Sequence, residues 1–208
     1  MDKIICFGKN YTEHMYELGD APVDKPVIFL KPPSVLKQCA NWGDSVNAVL
    51  VNDYETHYEC EIVIKLAHGG YNMTQDEAIK SIDSYTIGLD MTLRDLQAKL
   101  KAAGHPWTIG KVFPDAAIIG PWVHANNLDF LDYNFSFVLD GVTKQQSTGR
   151  SMIYSSAELI MQASKHFPLC AGDIIFTGTP AGVGAIKNGS SAKLNIGKYN
   201  YDVIWSQK

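Results

Sequence analysis

The chain is short of cysteine, and what it has is not arranged for metal or redox chemistry. Its 208 residues include four cysteines, Cys6, Cys39, Cys60 and Cys170, and no two are spaced as Cys-x-x-Cys. That excludes a thiolate zinc site and a dithiol redox motif. Four cysteines do not staple a chain of this length, so a reducing compartment is expected. An excess of positive charge is also missing. Eighteen Lys and Arg stand against 22 Asp and Glu, a net charge of −4, and no basic field is left to hold nucleic acid. The short cluster Lys99 to Lys101 reads as a solvated helix face. Long hydrophobic runs are missing too. The run Ile4-Ile-Cys-Phe7 is too short for a signal peptide or a membrane span, so the expected location is cytoplasmic, with no membrane partner. Internal repeats, low-complexity stretches and Pro/Ser-rich linkers are absent, which leaves one domain over residues 1–208. What is present is a balance of 46% hydrophobic and 19% charged residues, enough apolar material for one sizeable core.

Short strands dominate the pattern. Residues 3–8, 26–31, 48–51, 57–66, 85–89, 135–139, 173–177, 192–196 and 201–205 read as strands, and Asp140-Gly141 is a tight-turn signal. A helix is expected from Asn10 to Leu18, with Gly19 as its stop. Others run from Thr74 to about Asp83, from Thr92 to Gly104, and from Ser155 through Phe167. Thr74-Gln-Asp-Glu77 and Ser155-Ser-Ala-Glu158 are capping boxes. Strands outnumber helices and do not alternate with them regularly. The fold class is therefore α+β, β-rich, with helices packed outside.

The stretch His57-Tyr-Glu-Cys-Glu-Ile-Val-Ile-Lys65 poses the first chemical question. On one strand Glu59 and Glu61 share a face, their Cα atoms about 6.6 Å apart, and two carboxylates that close repel. Asp90 ends the apolar run Tyr85 to Leu89. Either the glutamates face water on an edge strand, or all three carboxylates converge on a cation. All-oxygen ligands favour Mg²⁺, Mn²⁺ or Ca²⁺ over zinc. His14-Met-Tyr-Glu17 places a carboxylate one helical turn from an imidazole. It is an incidental surface pair or a base held in one tautomer. Arg94 and Gln97, a turn apart, are a solvated face or a carboxylate clamp. Lys111, in the strand-like run Thr108 to Phe113, either snorkels to the surface or faces a polar pocket, where it would stabilise an enolate or carboxylate. Gly172-Asp-Ile-Ile-Phe-Thr-Gly-Thr-Pro-Ala-Gly-Val-Gly184 fits neither a P-loop nor a dinucleotide fingerprint. It is a turn requiring positive φ, or a loop whose N–H groups and Thr179 hydroxyl approach a ligand.

The order of these features is more specific than any one of them. Cys6-Phe-Gly-Lys-Asn-Tyr11 is followed by His14 and Glu17, then by Phe29-Leu-Lys-Pro32 and Tyr58-Glu-Cys-Glu61. Leu89-Asp-Met-Thr-Leu-Arg-Asp-Leu-Gln97, Trp107, Gly110-Lys111, Gly172-Asp173 and Thr177-Gly-Thr-Pro-Ala-Gly-Val-Gly184 complete the series. Taken together, the sequence resembles the fumarylacetoacetate hydrolase family, in its compact form without an extra N-terminal domain. The resemblance implies a mixed β-sheet roll with a few outer helices, usually a homodimer. It implies Glu59, Glu61 and Asp90 as ligands of Mg²⁺ or Mn²⁺, and Lys111 as a contact for substrate. Arg94, Gln97, Thr179 and Lys31 would bind substrate, and His14 with Glu17 would activate water.

The activity so implied is hydrolysis of the C–C bond of a 2,4-dioxo acid, an acylpyruvate such as fumarylpyruvate or acetylpyruvate, to pyruvate and a carboxylic acid. Oxaloacetate decarboxylation and dioxo-acid isomerisation or tautomerisation are alternatives at the same centre. A non-catalytic small-acid binding protein is a remoter one. Two positions depart from the family pattern. His57 stands where an Asp commonly precedes the first metal Glu by two residues, and Phe113-Pro114 replaces the usual Phe-Asp, with Asp115 one place later. Selection of the acyl group is expected from residues 14–25 and the loops around 68–73 and 181–190.

Overall fold

The computed structural model describes residues 1–17 and 25–207. Among them are sixteen strands and five α-helices. The first part of the chain forms β1 (Ile4–Gly8), α1 (Thr12–Glu17), β2 (Val27–Lys31), β3 (Leu36–Gln38), β4 (Ser45–Leu50), β5 (Thr56–Tyr58) and β6 (Cys60–Leu66). The middle forms α2 (Gln75–Lys80), β7 (Ile82–Asp90), β8 (Thr92–Leu93), α3 (Arg94–Ala102), α4 (Thr108–Lys111), β9 (Ala117–Ile119) and β10 (Val123–His124). The remainder forms β11 (Phe135–Leu139), β12 (Val142–Ser147), α5 (Ser156–His166), β13 (Ile174–Phe176), β14 (Gly184–Ala185), β15 (Ser191–Ile196) and β16 (Tyr199–Gln207).

The fold is mixed α+β, with curled mixed sheets and few helices. An eight-stranded sheet has the order β2-β1-β13-β6-β7-β9-β3, with β10 also on β7. A five-stranded sheet runs β12-β11-β15-β16-β4, and a three-stranded one β14-β5-β8. The pairs β1–β13, β3–β9 and β4–β16 are parallel. Strand β6 lies inside the large sheet between β13 and β7, so nearly its whole run Cys60 to Leu66 is buried. That burial explains its continuous apolar sequence. The second sheet covers the first. Tyr201 of β16 is fully buried, and its hydroxyl donates to Ile87 O of β7 at 3.2 Å. Helix α2 packs on α5 and against β7.

Local signals held where the responsible residues are close in sequence. Both capping boxes are present, at Thr74/Glu77 and Ser155/Glu158. Asp140 and Gly141 both take positive φ, +48° and +79°, in the turn joining β11 to β12. Two positive φ angles suit the twist of a two-residue hairpin turn. Other expectations are corrected. Residues 57–66 are not one strand. The ladder breaks at Glu59, and the chain passes there from the small sheet into the large one. The 108–113 run is not a strand, because Thr108–Lys111 is a helical turn packed on α3. A Cβ at Gly110 would lie 3.3 Å from Gln97 Cα, so the glycine permits that close approach. Helix α2 stops at Lys80 because Ile82 onward joins the nine-residue β7. Thr92 and Leu93 pair with β5, and α3 starts only at Arg94. The first helix covers Thr12–Glu17, and the expected end at Leu18 and Gly19 lies outside the described residues. Strand β12 was not expected. It is a mostly exposed, polar edge strand that buries only Gln145.

Candidate metal centre and its cleft

Three carboxylates meet where β6 and β7 come together. In their antiparallel register Cys60 opposes Leu89 and Glu61 opposes Gly88, and Asp90 N donates to Glu59 O at 2.9 Å. The ladder thus sets Asp90, last residue of β7, beside the break at Glu59. One carboxylate oxygen from each of Glu59, Glu61 and Asp90 lies within 4.8 Å of the others, and all three residues are buried.

Their compensation is unequal. The Lys111 ammonium donates to Glu59 Oε2 at 2.8 Å and to Asp90 Oδ2 at 2.9 Å. The Arg94 guanidinium pairs with Glu59 Oε1 and donates to Gln97 Oε1 at 2.8 Å. Glu61 has no cationic side chain in salt-bridge contact among the described residues. Its one hydrogen bond among the described residues comes from Gly178 N, at 2.6 Å. The acidities follow. Burial alone would raise the pKa of Glu59, but Lys111 and Arg94 outweigh it and hold the carboxyl well below the usual range. Burial, then the charges of Asp90 and Glu59, push Glu61 well above that range. Burial tends to lower Lys111, but Asp90 and Glu59 overcome it and keep the ammonium protonated.

The resemblance puts Lys31 among the substrate-binding residues. The structure places its fully buried ammonium behind Asp90, 2.6 Å from Oδ1, where it also donates to Met91 O and Ala116 O. It lies outside the cleft lining and holds a carboxylate in place. Thr179 borders the cleft, but its hydroxyl donates to Cys60 O at 2.8 Å and accepts from Gln145 Nε2 at 2.8 Å. Its proton is therefore committed away from the cleft. Arg94 keeps one resource unspent, since its buried Nε has no hydrogen-bond partner among the described residues. The expected pair on α1 is formed. His14 Nδ1 lies 3.1 Å from Glu17 Oε2, while Glu17 Oε1 accepts from Gly182 N at 3.0 Å. A Cβ at Gly182, where φ is +100°, would fall 2.0 Å from Lys144 O, so only glycine can present that N–H.

These side chains share one cleft of ≈ 50 Å³, bordered by His14, Glu59, Glu61, Arg94, Gln97, Lys111 and Thr179 together with Phe29, Lys101 and Trp107. The two departures from the family pattern stay out of it. His57 Nε2 meets Glu55 Oε1 at 2.5 Å, and Asp115 Oδ2 accepts from Val49 N at 2.9 Å. Three residues around the cleft were not singled out from the sequence. Buried Asn10 donates to Thr177 O and accepts from Tyr154 N, pinning the loop after β1 to the end of β13. Gln145 accepts from Cys60 N and donates to Thr179 and Pro180 O. Lys101, read as part of a solvated face, borders the cleft.

The donor set fits a divalent cation. It offers three hard carboxylate oxygens on one point, as Mg²⁺ or Mn²⁺ requires. Glu61, buried with one hydrogen bond and no salt bridge among the described residues, is the member an added cation would relieve most.

The fumarylacetoacetate (FAA) hydrolase C-terminal family pattern matches residues 3–200. The chain belongs to this family. It is 33% identical over 192 residues to oxaloacetate tautomerase YcgM of Escherichia coli, covering 91% of this chain and 85% of that protein. It is 35% identical over 197 residues to the mitochondrial oxaloacetate tautomerase FAHD1 of Arabidopsis thaliana, with 93% and 86% covered. Among solved structures, fumarylpyruvate hydrolase from Pseudomonas aeruginosa in complex with Mn²⁺ and pyruvate superposes with a TM-score of 0.91 at 33% identity, covering 99% of this chain and 91% of that one. Family membership accounts for the ordered motifs, the curled mixed sheets and a buried acidic triad suited to a divalent metal. No helix among the described residues is long and apolar enough to cross a membrane.

Proposed function

We propose that the chain is a divalent-metal-dependent hydrolase that splits 2,4-dioxo acids into pyruvate and a carboxylic acid. The observation that carries this reading is that His14, paired with Glu17, borders the same cleft as Glu59, Glu61 and Lys111. Held by Glu59, Glu61 and Asp90, a cation supplies Lewis-acid polarisation and a template for a chelating 2-oxo acid. The side chains do the rest. Arg94, through its unpartnered Nε, and Gln97 face the carboxylate end of the acid, with Thr179 as one wall. Glu17 engages His14 Nδ1, which leaves Nε2 to take a proton from water. The resulting hydroxide attacks the C4 carbonyl, the C3–C4 bond breaks, and its electron pair leaves as the enolate of pyruvate. Lys111, kept protonated by its carboxylates, is a fixed positive charge toward that enolate and not a base. The His14 imidazolium returns its proton to C3. Substrate and one water become pyruvate and one acid.

The names of the tautomerase relatives favour a second reading, enol–keto conversion of oxaloacetate. There the same base would move a proton on C3 with no water attack. Purified protein with Mg²⁺, and with a chelator, is offered acetylpyruvate, fumarylpyruvate and oxaloacetate. Metal-dependent cleavage of an acylpyruvate with release of pyruvate is expected. His14→Ala should lower that cleavage by about 10²–10⁴-fold while metal affinity, read by calorimetry, stays. Faster enol–keto conversion of oxaloacetate, with no pyruvate formed and the acylpyruvates untouched, would replace the hydrolase with the second reading; pyruvate formed from oxaloacetate alone would mark a decarboxylase. Inertness toward all three would leave a dioxo-acid isomerase or a small-acid binding protein.

A further inference from the structure

We infer that Gln145 is a positioning residue of the candidate metal centre: its one amide fixes the backbone between Glu59 and Glu61 and the loop that donates to Glu61, so that cation affinity depends on it from outside the cleft lining. This rests on the metal-centre part of the reading above and is independent of which reaction is catalysed. Cys60 separates the two glutamates. Glu59 O accepts from Asp90 N on the β7 side. Backbone groups of successive strand residues point to opposite sides, so Cys60 N and O point away from β7. The neighbour on that side, β13, pairs only as far as Phe176 with Val63. Among the described residues, therefore, no strand takes the N–H and C=O of the buried Cys60, and such groups need partners. Gln145 and Thr179 stand in for that strand. Cys60 N donates to Gln145 Oε1 at 3.0 Å, and Cys60 O accepts from the Thr179 hydroxyl at 2.8 Å.

The amide closes the set. Gln145 Nε2 donates to that same hydroxyl and to Pro180 O, both at 2.8 Å. Cys60 N can only donate and Pro180 O can only accept, so one orientation of the amide satisfies both. Through Thr179 and Pro180 it holds the loop in which Gly178 N donates to Glu61 Oε2 at 2.6 Å. Strand β12 is built to deliver this side chain. Its pairing with β11 shifts between Phe137 and Val138. Phe137 opposes Gln145 while Val138 opposes Thr143, which makes Lys144 an extra residue. Without that bulge Lys144 would oppose Phe137. With it, Gln145 shares the face of the buried Phe137. It is the one buried residue of a polar edge strand.

The test is cation binding, not turnover. Mn²⁺ is titrated by calorimetry into wild type, Gln145→Met, Thr179→Val and Asp173→Asn, and melting temperatures are read in chelator. Gln145→Met keeps the side chain's length and removes all three contacts. Its Mn²⁺ affinity should fall about 10–100-fold, the usual effect of losing a residue that orients a metal ligand. Thr179→Val keeps volume and breaks the same series of bonds one link further on, and it should weaken binding in the same direction. Asp173→Asn is the control for general destabilisation. It should melt lower with its Mn²⁺ affinity unchanged. A folded Gln145→Met that binds Mn²⁺ as tightly as the wild type overturns the inference, however far its melting temperature falls, because the amide would then be packing alone. If Gln145→Met does not fold, Thr179→Val decides by the same criterion. In both cases the metal reading survives, because the wild type still binds the cation. If the wild type binds no Mn²⁺, that reading fails and the inference falls with it.

Discussion

Asp173 and Glu61 are both carboxylates with almost no exposed surface, one beneath the N-terminus and one in the candidate metal centre. Asp173 accepts from Asp2 N, Lys3 N, Lys3 Nζ and Cys170 N, at 3.0, 3.1, 2.8 and 2.8 Å. Burial alone would raise its pKa. Lys3 and these N–H groups outweigh it and hold the carboxyl below its ordinary range. Glu61 accepts from Gly178 N, and two further carboxylates stand beside it, so its pKa moves the opposite way. Residue type and burial are nearly the same. The difference is that one carboxylate is matched by donors and a cation within the chain, and the other, among the described residues, meets one N–H and two further carboxylates. A buried charge that the fold satisfies is architecture, and one that the fold leaves short is a place for a ligand.

Neutralising each carboxylate in turn tests that contrast. The largest effect expected is on activity in Glu61→Gln. Metal-dependent turnover should fall on the order of 10³-fold, several kcal/mol of lost transition-state stabilisation. Thermal stability without metal should hold or rise, because burial and the neighbouring carboxylates already disfavour the Glu61 charge that the change removes. A clear drop in melting temperature without metal would put Glu61 in the same class as Asp173. The mirror-image change is Asp173→Asn. It should cost about 2–3 kcal/mol in denaturant unfolding, while the folded variant keeps its metal-dependent turnover.

Acid offers a version of that experiment without mutation. Since the folded-state pKa of Asp173 is depressed, its contribution to stability is fully present above the unfolded value of about 3.9. It is lost as pH falls through the lower folded value. The gap in unfolding midpoint between wild type and Asp173→Asn should accordingly be wide at neutral pH and close in strong acid. A gap that stays constant with pH would show that charge is not what Asp173 contributes. The smallest effect belongs to Lys3→Met. Its ammonium is one of four donors to Asp173, at a partly exposed position, so about 1 kcal/mol is expected. A loss as large as that of Asp173→Asn would mean that the pair, and not the set of N–H donors, holds the N-terminus.

Much of the candidate site was legible in the chain, for uneven reasons. Glu59, Glu61 and Asp90 were singled out as three carboxylates in search of a cation, and they do converge. Their route there differs from the expected one, since Glu59 sits at a break between two sheets and not on a common strand face with Glu61. The His14–Glu17 contact was legible because it spans a single helical turn. Lys31 and Lys101 exchanged their expected places. Lys31, which the resemblance placed with the substrate, is enclosed behind Asp90. A lysine in an exposed charged helix looked solvated and borders the cleft. Neither outcome is decided by local pattern, because a lysine stem can run along apolar surface in either direction.

By itself the sequence determined what neighbours along the chain can settle. Capping boxes, the Asp140-Gly141 turn, the apolar β6 and the imidazole–carboxylate pair all involve residues at most a few positions apart. Only the tertiary structure decided which charges meet. Lys111 reaches Glu59 across 52 residues of sequence, and Gly178 reaches Glu61 across 117. Side-chain period and backbone propensity act over one or two turns. Ion pairing at the centre is set by the register of β6 against β7 and by the packing of α4 on α3, where a four-residue helical turn turns Lys111 inward. Contacts of that range form only when sheets close on one another, and local pattern carries no record of them.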